Sequence, residues 1–396
     1  MSEEPTIDVL LDPTGAPTTL AAAASVGPTA LDSATGAVLV LRYEELERLS
    51  HDPRTVGVGL TWFDAMGIQG DLRRWYGSLM FTNEGEAHTR LRRLVSRAFT
   101  PRSVQQLRDD AAKLVNERLL ELESEGEGDL VQLFGRVAVR VMCRLLGVPQ
   151  EDVEVWGSWA DALSPVFGYM EPEQIRAAES ALAELLPYIA ALVEERSREP
   201  RDDLITGLVR AEEGGERLHR DELITMVTNL LVAAHDTTTS QIGCTLLTLL
   251  RHPNAVAELR SETAMVPAAV SETMRYEPSI ELIPRTTTAP VEIGGAQRPA
   301  GTMVLLSVIT GNRDPAVWED ADSFELKRFA RSSAPRLLSF GTGLHYCVGA
   351  NLARMTLEET VAGFVTRDIT PAEDLQAVQW RRVLGRSPAN LRVRVR

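Results

Sequence analysis

The chain has 396 residues, 44% of them hydrophobic and 24% charged, with a formal net charge of −15. That apolar content fills a substantial core and excludes global disorder. The acidic balance argues against wholesale nucleic-acid binding, which needs a basic face.

Residues 1–35, rich in Ala, Thr, Pro and Gly, read as an irregular N-terminal segment, and residues 36–396 as a single domain. The early stretch LAAAAS is short and lacks the basic leader of a signal peptide. GAVLVLR (36–42) reads as a strand and YEELERLS (43–50) as a short helix. Residues 53–86 have no clear period and carry Trp62, Phe63, Trp75, Tyr76 and Phe81. They read as a long aromatic loop, either functional or packed on the core by its own rings.

From about 87 to 275 apolar residues recur at three- and four-residue spacing, which predicts successive amphipathic helices. The most apolar of these, LITMVTNLLVAA (223–234), runs into HDTTTSQ, too polar for a membrane span. After 275 the runs RTTTAPVEIGG, GTMVLLSVIT and LRVRVR are β-like, and GANLARMTLEETVAGFVTR is a last helix. The fold class is therefore mainly α with a smaller β-rich portion. Cys143, Cys244 and Cys347 stand far apart without C-x-x-C spacing, which fits a reducing cytosol rather than a disulfide framework. With no span and no leader, a cytoplasmic location is expected.

Cys347 lies in FGTGLHYCVG (340–349), where glycines free the backbone to turn sharply and approach another group. A helix starts just beyond, and its N-terminal dipole favours a thiolate. Such a sulfur could serve as a nucleophile, a zinc ligand or a haem-iron ligand. Zinc needs about four protein ligands, and no second Cys/His cluster lies near in sequence. A lone His345-x-Cys347 is a poor protease pair.

The loop resembles the haem-binding motif of the cytochrome P-450 family, F-x-x-G-x-x-x-C-x-G, with Phe340, Gly343, Cys347 and Gly349 in register and Gly341 and His345 as in bacterial members. The resemblance implies haem b between an oxygen-activation helix and the cysteine-loop helix, with Cys347 as axial thiolate, pushing electron density toward O–O cleavage. Backbone N–H groups would tune the sulfur and Phe340 would shield it.

Three further stretches match in the family's order. SETMR (271–275) places Glu272 and Arg275 on one helical face, alone a surface ion pair worth under about 1 kcal/mol. As the family's E-x-x-R it is a buried structural pair, with Arg328 as third partner. AAHDTTTS (233–240) puts hydroxyls inside an apolar helix, where they read either as side chains bonded to carbonyls four residues back or as a functional break. It resembles the oxygen-activation motif, which makes Asp236 the acid and Thr237 the alcohol that pass protons to dioxygen. Ala234 stands where glycine is usual, against the oxygen groove. HTRLRRLVSRAFTPR (88–102), taken alone a solvated basic face, matches H-x-x-x-R at His88 and Arg92, which with Arg285 and His345 would bind the haem propionates. The preceding NEGEAH departs from the usual D-P-P-E-H.

By this resemblance the chain is a monooxygenase. One oxygen atom enters an organic substrate and the other leaves as water, with electrons from a separate ferredoxin and ferredoxin reductase. Arg90, Arg93, Arg97, Lys327, Arg331 and Arg336 would form a basic surface for such an acidic partner. The pocket walls would be Trp62, Phe63, Trp75, Met80 and Phe81, then Phe167, Leu230 and Ala233, then Leu282, Ile283, Val383 and Leu384. They are apolar and aromatic, which suits a hydrophobic small molecule and a tailoring step in secondary metabolism. An H2O2-using peroxygenase would normally lack the Asp236–Thr237 pair. A haem-thiolate sensor would need neither relay nor redox partner, and a haem-free cysteine hydrolase would be colourless.

Overall fold

The computed structural model describes residues 4–9, 14–213 and 215–396. The described residues are predominantly helical, and their strands form one six-stranded sheet and four smaller ones. None of their helices is long and apolar enough to cross a membrane.

Among the described residues, the start of the chain is not irregular. Ala16–Val26 is a helix with proline in its first turn, and Thr6–Ile7 and Thr29–Asp32 are strands. The alanine run that looks like low complexity is a helix because alanine is the strongest helix former. Ala16, Leu20 and Ala23, one turn apart, bury its inner face. The strand Thr29–Asp32 pairs antiparallel with Val38–Val40, joining this segment to the large sheet.

Residues 53–86 are not a loop either. They hold the helices Thr61–Ala65 and Gly70–Ser78 and the 3-10 turn Met80–Thr82. Each element is too short to reveal a period in the sequence. Aromatic packing fixes them: Phe63 stacks on Tyr76 with centroids 4.1 Å apart.

Two helices and a sheet position the site. Arg220–Arg251 is 32 residues long, and most of its side chains are buried. It opens with a reciprocal cap in which Glu222 accepts from the His219 N–H at 2.8 Å, and Asp221 favours the same dipole end. Ala350–Val365 follows the cysteine loop. In the large sheet, Met303–Ser307 runs parallel to Val38–Val40 and antiparallel to Leu282–Thr287, with Val304 opposite Arg285. A hairpin of Trp380–Arg382 and Arg386–Pro388 packs its turn on the long helix. A Cβ on Gly385 would lie 2.7 Å from that of Ser240, so only glycine allows this approach.

Candidate active site

The cysteine loop is closed by its own backbone. Gly341 N–H donates to Leu338 O at 2.7 Å, and Cys347 N–H to Phe340 O at 2.9 Å. Gly341 and Gly343 have φ of +69° and +71°, which favours glycine. A Cβ on Gly343 would fall 2.2 Å from Ser50 O, so the loop docks directly on the end of the helix Tyr43–His51.

Cys347 is exposed, whereas Cys143 and Cys244 are buried. Protein nevertheless crowds the Cys347 sulfur. Burial pushes its thiol up, against the Gly349 N–H and the charges of Arg92 and Arg354, which favour the thiolate. Phe340 is buried, and the Arg354 guanidinium lies 4.7 Å from its ring centroid.

A cluster of basic side chains stands beside this loop. The His88 and His345 rings are 4.4 Å apart. His88 is buried, its Nδ1 has no partner, and burial with the charges of His345 and Arg92 pushes its pKa down to about 4. Burial also lowers the pKa of Arg92 and of Arg285. Arg285 donates to Pro284 O at 2.9 Å, and neither arginine pairs with a carboxylate among the described residues. Two desolvated guanidinium groups that no carboxylate hydrogen-bonds fit an anionic group.

His345 is held differently from the expectation. Its Nε2 lies 3.0 Å from both carboxylate oxygens of Glu84, which also accepts from Gly57 N–H at 2.6 Å. Burial opposes the Glu84 charge, but these bonds hold its carboxyl below the ordinary range. Glu84 was not singled out in the sequence. Its signal is the departure NEGEAH, which puts a carboxylate four residues before His88.

On the long helix, Ala233, Ala234 and Thr237 keep accessible surface while the residues between and around them are mostly buried. Thr237 Oγ1 donates to Ala233 O at 2.7 Å, the bland arrangement for a helical threonine, as Thr228 and Thr248 also adopt. Its oxygen keeps acceptor capacity. Asp236 is buried, and its Oδ2 accepts from Leu384 N–H at 3.0 Å and Gly385 N–H at 2.8 Å.

The structural triad is complete. Arg275 donates two bonds of 2.8 Å to Glu272, and Arg328 Nε a third of 3.2 Å. Arg275 also donates to Asn312 O, Ala321 O and Ser323 O, and Glu325 N–H donates to Glu272. Asn312 then accepts from Leu338 N–H at 3.0 Å, two residues before Phe340. The triad thus anchors the segment that leads into the cysteine loop.

The pocket residues divide. Phe63, Trp75, Met80 and Leu230 are 0%, 4%, 6% and 3% exposed, so they support the wall rather than face open space. Trp62, Phe81, Phe167, Ala233, Leu282, Ile283, Val383 and Leu384 keep accessible surface. Phe81 and Phe167 approach to 5.3 Å, joined by Tyr76 at 5.6 and 6.4 Å. Of the basic surface, Arg90 pairs with Glu222, Lys327 with Glu258 and Arg331 with Glu325, which reduces its field.

The cytochrome P-450 family model matches residues 63–367. Cyclomarin C epoxidase of Salinispora arenicola is 38% identical over 80% of this chain and 79% of its own. The 6-deoxyerythronolide B hydroxylase of Saccharopolyspora erythraea is 34% identical over 87% of each. A cytochrome P-450 of known structure from Chondromyces apiculatus superposes with TM-score 0.88 and 29% identity over 98% of each chain.

Proposed function

This chain belongs to the cytochrome P-450 family, and from that premise we propose that it is a tailoring monooxygenase of secondary metabolism that oxidises a hydrophobic small molecule. It is a monooxygenase by family, with haem as cofactor. The single observation that carries the assignment to these residues is the exposed residue Cys347 beside the desolvated Arg92 and Arg285 guanidinium groups and the orphaned Nδ1 of His88.

The residues fit haem. Cys347 would hold the iron, and His88, with its orphaned buried Nδ1, Arg92 and Arg285 would hold the propionates. His345 would act from the rim, already bonded to Glu84. Haem held through a cysteine thiolate would supply the redox chemistry that activates dioxygen. The balance is one oxygen atom into substrate and one into water, using two electrons and two protons.

The chain's own part is to exclude water and move those protons. Phe81, Phe167, Leu282 and Ile283 offer an apolar wall that favours a hydrophobic substrate. Thr237, on the accessible face, can hold a water through its acceptor oxygen. Asp236, one residue away and fixed by two N–H donors, takes a proton from the solvent side and passes it toward that water. The relatives' printed activities, an epoxidase and a hydroxylase, support oxygen insertion on a natural-product skeleton. Electrons come from a ferredoxin-type partner. Arg336, exposed and 5.1 Å from the Tyr346 ring beside Cys347, remains a docking contact despite the neutralised neighbours.

Thr237→Ala tests the relay. It should keep haem and substrate-induced spectral change while electrons divert from product to peroxide. Equal coupling in both proteins at saturating substrate removes Thr237 from the path.

A further inference from the structure

The hairpin turn that fixes Asp236 also brings a cation to it. Arg381 Nη1 lies 3.9 Å from Asp236 Oδ1, on the side opposite the oxygen that takes the Leu384 and Gly385 N–H groups. The Asp236 side chain is 8% exposed and that of Arg381 36%, so the pair runs from the interior to solvent. At 3.9 Å the contact is electrostatic rather than a hydrogen bond. The guanidinium can therefore turn to water without breaking the hold that the two N–H groups keep on the carboxylate.

The rest of the hairpin does not share this freedom. Arg382 and Arg386 are committed to Glu281 and Glu277 at 2.5 and 2.6 Å, and Arg386 stacks 3.3 Å from the Trp380 centroid. Arg386 N–H donates to Ser279 O at 2.8 Å, while Ser279 Oγ donates to Thr237 O at 3.3 Å. The turn is thus fixed at its base by these bonds, and Arg381 is the partly exposed charge above it. His235, the other ionisable neighbour on the helix, directs Nε2 to Asp161 at 2.7 Å and so faces away from this pair.

We propose that Arg381 is a positioning residue of the oxygenation reaction, its charge orienting the Oδ1 side of the Asp236 carboxylate toward solvent and marking where the proton route enters. The inference rests on the reading of Asp236 as the relay acid. Arg381→Gln removes the charge, and Arg381→Lys keeps it.

The test uses the haem-loaded enzyme with surrogate ferredoxin and reductase, and measures product formed per electron and the solvent isotope effect on turnover. Arg381→Gln should lower coupling about two- to fivefold, the factor for a half-exposed ion pair, and enlarge the isotope effect. Arg381→Lys should restore both. Haem content and substrate-induced spectral change should match wild type, which a general structural defect would not allow. In an Asp236→Asn background Arg381→Gln should have no further effect. Unchanged coupling in Arg381→Gln, or an equal loss in the Asp236→Asn background, overturns the inference while leaving Asp236 in place. Unchanged coupling in Asp236→Asn alone overturns the reading of Asp236 itself, and this inference with it.

Discussion

Glu272 and Arg275 face each other through two 2.8 Å hydrogen bonds with both side chains fully buried. Around them Arg275 and Arg328 satisfy carbonyls of residues 312–323, a stretch with no regular structure of its own. Asp320 there adopts φ +45°, a strained value for a non-glycine residue that this network holds in place.

Breaking this pair should therefore cost more than an ordinary surface contact. Glu272→Gln leaves the buried Arg275 guanidinium without its counter-charge and Arg328 with only Glu325 at 3.6 Å, a loss of about 3–5 kcal/mol. Chemical denaturation should register it, together with lower haem retention, because the same network anchors Leu338 and the loop beyond it. A fall under about 1 kcal/mol would mean the triad is not the anchor.

The two glycines flanking Cys347 should respond in opposite ways. Gly343→Ala puts a methyl 2.2 Å from Ser50 O at a left-handed φ, so haem content and thermal stability should both drop sharply. A Cβ on Gly349, at φ −84°, would meet the sulfur at an ordinary 3.9 Å. Gly349→Ala should keep the fold, which melting curves of the two variants would establish.

His88 makes the haem-free protein acid-sensitive. Its pKa is pushed down to about 4, against about 6.5 in an unfolded chain. Between those values the unfolded state binds a proton that the folded state does not. Stability is therefore full above about pH 6.5 and falls on acidification toward about 4, by at most about 1.4 kcal/mol per pH unit. Urea denaturation at pH 7 and 5 should show a smaller difference for His88→Gln than for wild type.

Much of the site was legible in the sequence because its chemistry depends on local spacing. The glycine loop around Cys347, the three-residue step from Glu272 to Arg275 and the four-residue step from His88 to Arg92 all lie within one turn or helix face. What escaped depends on long-range packing. Glu84 meets His345 across 261 residues of chain, and Asp236 meets Leu384 across 148. Tyr76 was read as one loop aromatic among several, yet it joins Phe63, Phe81 and Phe167. The N-terminal helix was missed for the reverse reason: its alanines carry a strong local propensity but a weak contrast between faces.

The central claim is that the sulfur of residue 347 binds haem iron. The reduced, CO-bound difference spectrum of the haem-loaded protein, recorded beside Cys347→Ser, tests it most directly. Wild type should give the thiolate-type absorption, and the serine variant should lose it while remaining folded. A wild-type protein that takes up no haem, or a variant whose spectrum is unchanged, would contradict the account.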